Sequence, residues 1–171
     1  MKTQALDKIL TKVRGHVRAV LRTGDVDVVL YDGHNDLTDL AAEILAGVAA
    51  GDPDSLLAFI SVGSGAFTSP PPAVTGENLV DPIPTETEMR SPEATTGIAS
   101  RVSTGSIVTY TAVFRPTEAV GAEINEFGLL TTDLRMFSHA IDTSISTPAE
   151  SKVKSGITYL LIEWTLDLTI T

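Results

Sequence analysis

The sequence predicts a mainly β protein: an antiparallel β-sandwich or jelly-roll-like body with one principal helix at about residues 36–50. Three observations predict it. Apolar and polar residues alternate at period two in several stretches, most clearly over 157–170. Helical spacing is clearest between Leu37 and Val48. Glycine-bearing turn dipeptides separate the alternating stretches, as hairpins require.

The elements follow in chain order. Residues 2–10 carry Leu6, Ile9 and Leu10 on one face of a short helix, and 1–12 read as an N-terminal arm. From Val13 the period becomes two. Val13, Gly15, Val17, Ala19 and Leu21 alternate with Arg14, His16, Arg18, Val20 and Arg22, which predicts a half-exposed strand with a cationic face. Thr23-Gly24-Asp25 is turn chemistry. Val26 to Tyr31 gives a second strand, and in the resulting hairpin Asp27 is placed to face an arginine. Asp32-Gly33-His34-Asn35-Asp36 reads as a break, with Asn35 or Asp36 capping the helix that follows. Leu37, Leu40, Ala41, Ile44, Leu45 and Val48 supply its apolar face, and Gly51-Asp52-Pro53 ends it.

Leu56 to Val62 is a short apolar run, read as a buried strand and closed by Gly63-Ser64-Gly65. Residues 66–95 are Pro-rich, with Pro70, Pro71 and Pro72 in a row, and predict a long ordered surface loop. The remainder is strand and turn. Ile98–Ser103 and Ser106–Arg115 flank Thr104-Gly105 as a hairpin. A short strand near Ala122–Asn125 leads into Glu126–Leu130, and Met136–Ile141 is another strand. In Ile157–Ile170, Leu160, Ile162, Trp164, Leu166, Leu168 and Ile170 share one face. Residues 13–171 therefore read as one domain, which suits a chain of 171 residues.

Charge is unevenly spread. The net value is −10, made up of +5 over residues 1–22, −12 over 23–89 and −3 over 90–171. A basic lead beside an acidic body implies either head-to-tail docking between copies or a basic strand paired with an acidic one inside a single copy. The acidic balance opposes nucleic acid as a partner. No stretch approaches the ~20 apolar residues of a membrane span, and charges at Lys2, Asp7, Lys8 and Lys12 interrupt any signal-peptide core.

Catalytic and cofactor chemistry finds little to build on. The chain has no cysteine. His16, His34 and His139 do not stand at zinc-site spacing. The acids from Asp25 to Asp39 do not follow a calcium-loop pattern and are read as pairing and capping groups. Gly63-Ser64-Gly65 is neither a nucleophile elbow nor a phosphate loop. Arg14, His16, Arg18 and Arg22 lack the interleaved aromatics of a nucleic-acid face. The expectation is no enzyme, no metal and no cofactor.

A resemblance carries the functional expectation. The segments are Gly33-His34-Asn35 before an apolar helix, then Phe59-Ile60-Ser61-Val62-Gly63-Ser64-Gly65, then Glu77-Asn78-Leu79 within a Pro/Thr-rich stretch. Ile124-Asn125-Glu126-Phe127-Gly128-Leu129, Met136-Phe137-Ser138-His139-Ala140 and Ile162-Glu163-Trp164-Thr165-Leu166 complete the series. In this order, over 13–171, the chain resembles small virion structural proteins of tailed bacteriophages. The resemblance implies a non-catalytic β-sandwich, homo-oligomeric, in a virion assembled in the host cytoplasm and bound to other phage structural proteins. It implies capsid decoration, with neck, collar, baseplate or tail-fibre attachment as the alternative placement. The longer Pro-rich loop and the basic lead depart from that pattern. The interface residues expected are Leu6, Ile9, Leu10, Arg14, Arg18, Arg22, Pro70, Pro71 and Pro72. A glycan- or ligand-binding module is the reading from another class.

Overall fold

A computed structural model of the chain describes residues 13–63, 97–121, 123–142 and 152–168. The expected arm (1–12) and loop (66–95) lie outside the described residues. In chain order the elements are β1 (Arg14–Thr23), β2 (Val26–Leu37), α1 (Ala41–Ala50), β3 (Leu57–Gly63), β4 (Ser100–Thr104), β5 (Ile107–Phe114), β6 (Glu123–Ile124), β7 (Glu126–Thr131), β8 (Met136–Ile141), β9 (Lys152–Val153) and β10 (Tyr159–Asp167). Eight strands form one antiparallel sheet in the order β3-β7-β8-β2-β1-β10-β5-β4, and β6 pairs with β9 apart from it.

The sheet curls into a half-barrel around its apolar face. Strand β2 makes the bend. It runs beside β1 from Val26 to Asn35, then crosses to β8 at Asp36 and Leu37. Register shifts at Ala19/Val20, Leu57/Phe59 and Leu129/Leu130 add local twist, as bulges do. The two ends of the sheet then approach each other. The Ile98 N–H donates to the Ala58 carbonyl at 3.0 Å, and Arg101 Nη2 donates to the Leu57 carbonyl at 2.5 Å.

Inside the curl lies one core. Val17 and Ala19 of β1, Ile60 and Val62 of β3, Ala112 and Phe114 of β5, Phe127 and Leu129 of β7, and Leu160, Ile162, Trp164 and Leu166 of β10 belong to it, with Ala41 and Ile44 from α1. The alternation expected of the last strand holds from Leu160 to Leu166. The strand ends at Asp167, sooner than expected, and Leu168 is exposed. The β1–β2 hairpin, the β4–β5 hairpin and β8 fall where the sequence puts them. Val20 stands among the β1 cations yet is buried, beside the register shift.

Two expectations are corrected. Residues 32–36 do not break the chain; they continue β2. Gly33 is used there for close approach rather than for a turn. The Tyr31 ring lies across it, so a Cβ at residue 33 would sit 2.7 Å from the Tyr31 hydroxyl, which donates to the His34 carbonyl at 2.7 Å. The helix is correspondingly Ala41–Ala50 and not 36–50. Its N-cap is Leu40, without a side-chain cap, because Asn35 and Asp36 are engaged in the sheet. Thr38 anchors the connection, its N–H on the Phe137 carbonyl at 3.1 Å and its hydroxyl on the Met136 carbonyl at 2.5 Å. The helix ends as expected at Gly51, whose φ of 78° suits a residue without Cβ.

Candidate functional site

The outward face of β1 gathers three of the residues expected at an interface. Register places Arg14 opposite Asp167, Arg18 between Glu163 and Asp32, and Arg22 between Tyr159 and Asp27. Arg22 forks onto Asp27 with two hydrogen bonds of 2.7 Å. That bond, reinforced by the nearby positive charge, holds the Asp27 carboxyl below its ordinary range and raises the Arg22 guanidinium. His16 Nε2 lies 2.8 Å from Asp32, and Arg18 lies 3.7 Å from the same carboxylate. The intramolecular reading of the basic strand is therefore the one realised. These are solvated pairs that contribute little stability, and their cations are already answered by acids of the same sheet. Leu6, Ile9, Leu10, Pro70, Pro71 and Pro72 lie outside the described residues.

A second constellation escaped the sequence reading. Ser61, Gly128, His139 and Asp36 stand in one register row across β3, β7, β8 and β2. Glu126 is two residues from Gly128 on the same face, and its Oε1 meets His139 Nε2 at 2.9 Å. Both side chains are buried. Beside them Asn35 Nδ2 donates to Ser138 Oγ, and the Ser138 hydroxyl donates to the Asp36 carbonyl at 2.8 Å. Ser61 Oγ is buried and has no hydrogen-bond partner among the described residues.

A carboxylate, an imidazole and a serine invite comparison with an acyl-transfer triad. The geometry lacks the step that matters. Ser61 and His139 are separated by β7, about two strand spacings or ~10 Å between backbones, and Ser61 makes no bond to the imidazole. No three His, Cys, Asp or Glu side chains among the described residues are placed to hold a metal ion. The Glu126–His139 pair can act as a polar clamp between β7 and β8.

Lys154, just past β9, is a further buried charge. Its ammonium donates to the carbonyls of Arg115 (2.7 Å) and Pro116 (3.2 Å), tying that segment to the turn before β6. Burial pushes its pKa below the ordinary 10.5, against an opposing pull from Glu118. On raising the pH, the folded chain releases this proton before the unfolded chain does. Between the lowered value and 10.5 the unfolded state holds more protons, so this group's contribution to stability rises with pH. Urea midpoints of the native chain and Lys154→Met are expected to diverge in the native chain's favour as pH climbs through that window. A constant difference would refute the assignment.

No protein-family model, curated protein or solved structure matches this chain. What the fold defines is a class: a mainly β body built on one curled antiparallel sheet, with a single α-helix among its described residues.

Proposed function

We propose that this chain is an accessory structural subunit on the exterior of a tailed bacteriophage particle. In this reading it is a sandwich-like β body that binds neighbouring structural subunits, with capsid decoration favoured over a neck, collar, baseplate or tail-fibre attachment role. The arm 1–12 and the Pro-rich loop 66–95 would supply bridges to neighbours, and the outward arginines of β1 a polar rim.

The observation that carries the reading is where the resembling segments fall. Gly33-His34-Asn35 lies in β2, Phe59–Gly63 in β3, Glu126–Leu129 in β7 and Met136–Ala140 in β8. These four strands are consecutive neighbours in the sheet, while the fifth described segment, Ile162–Leu166, lies in β10 with β1 between it and β2.

The aromatic side chains weigh against the glycan-binding alternative. Tyr110 and Phe114 are buried, and Tyr31 is half-buried with its ring 5.3 Å from that of Phe127. Tyr159 is exposed, and Phe67 lies outside the described residues. A sugar platform needs several rings facing water together.

Antibody against this chain, visualised with gold on purified particles, tests the proposal. Label over the head is the expected result, and label confined to the neck or tail would move the protein to the attachment role. Soluble protein with no labelled particle would sink the structural reading.

A further inference from the structure

We propose that His16 and His34 form a two-nitrogen clamp for a zinc-like divalent ion on the outward face of the β1–β2 hairpin. The clamp is independent of the virion reading. The two histidines do not stand at metal-site spacing along the chain, but the hairpin register sets them directly opposite each other. Directly opposed residues on one face have Cβ atoms about 4.5–5.5 Å apart, so both imidazoles rise from the same spot on the sheet. Their rings meet edge to face with centroids 6.1 Å apart. His34 is exposed and His16 half-buried, which leaves an ion a path from water.

The bonds each ring already makes decide which nitrogens are left to bind. His34 Nδ1 lies 3.3 Å from the Gly15 carbonyl oxygen. A carbonyl can only accept, so in the neutral ring Nδ1 carries the proton and Nε2 keeps its lone pair. His16 Nε2 lies 2.8 Å from Asp32 Oδ1. A carboxylate likewise accepts, so Nε2 carries the proton there and Nδ1 keeps the lone pair. A carbonyl or carboxylate on one ring nitrogen, with the other nitrogen on the metal, is the arrangement that orients imidazole ligands and raises their basicity. Asp32 also sets negative charge beside the ion, part of it answered by Arg18 at 3.7 Å. Exposed side chains change rotamer in ps–ns. Bringing both lone pairs to within about 2.0–2.1 Å of one ion therefore takes a side-chain adjustment and no change of backbone.

Imidazole nitrogen suits zinc, nickel and copper, whereas magnesium takes oxygen ligands. Among the described residues no third His, Cys, Asp or Glu is placed to complete a ligand set. Water fills the remaining positions, and the result is an open binding site rather than a closed structural one.

Zinc chloride titrated into the native chain in a calorimeter is expected to bind as one ion per chain, with magnesium giving no comparable heat. His16→Gln and His34→Gln should each weaken zinc binding by roughly 10²–10⁴-fold, the gain that linking a second contact provides, with circular dichroism unchanged. Asp32→Ala keeps both ligands and, as loss of the group behind a ligand does, should cost about 10–100-fold. In ¹⁵N-labelled protein zinc should move the His16 Nδ1 and His34 Nε2 resonances and leave those of His139 in place. Zinc held equally well by the His16→Gln/His34→Gln double variant would overturn the clamp. So would zinc-induced shifts confined to other ring nitrogens, or magnesium bound as tightly as zinc.

Discussion

Trp164→Ala is expected to destabilise the fold by about 3–5 kcal/mol, the range for deleting a large aromatic from a packed core. Trp164 is fully buried at the middle of β10, opposite Val17 of β1 on one side and Tyr110 of β5 on the other. Its neighbours along the strand, Ile162 and Leu166, belong to the same core, so the void cannot be filled by one flexible residue. Domains of this size hold only about 5–15 kcal/mol in total, so the variant should unfold at a much lower urea midpoint. The readout must be circular dichroism, since this is the chain's one tryptophan. Trp164→Phe should cost clearly less. The indole Nε1 is buried with no hydrogen-bond partner among the described residues, so phenylalanine forfeits volume but no polar contact seen there. Near-equal losses for the two variants would show that something other than cavity volume is at work.

The same strand shows what could be read from sequence. Period-two alternation fixed the inward residues of β10 because a single face of it meets the core. The hairpins were legible through Gly24 and Gly105, whose positive φ values of 59° and 63° are turn conformations glycine adopts without strain. Asp27 facing an arginine was legible because hairpin register follows from the turn. Gly33 and Asn35 misled for the opposite reason: turn-forming residues were serving a close approach to Tyr31 and a cross-strand bond to Ser138. Moving the helix start to Ala41 follows from that one misreading. Strands β7 and β8, buried along nearly their whole length, show no alternation to count. The candidate interface was only partly legible. The outward arginines came from periodicity, but the acids they meet depend on the register of β1 against β2 and β10, and that is a property of topology.

The Glu126–His139 pair was invisible because residues thirteen apart meet only once β7 and β8 take their register. Glu126→Ala is expected to cost about 1–3 kcal/mol, since it leaves the buried imidazole without its hydrogen-bond partner. Glu126→Gln keeps a carbonyl oxygen to accept from Nε2–H and should cost markedly less. The single loss mixes the pair with everything else Glu126 touches, so the decisive measurement is the cycle Glu126→Leu, His139→Leu and both together. Coupling of about 0.5–3 kcal/mol is expected, the double variant being milder than the sum; simple additivity would show that the two side chains do not support each other. The reason to expect coupling lies in the register. Phe127 pairs with Ala140 and Leu129 with Ser138 on the core side, while Glu126 and His139 alternate with them and point to the other face. A slip of one residue between β7 and β8 would turn one of the two polar side chains toward the apolar core and leave the other without its partner. A one-residue slip cannot satisfy the carboxylate and the imidazole together, and so the pair fixes which faces of β7 and β8 stand together, which hydrophobic alternation leaves undecided in these two strands.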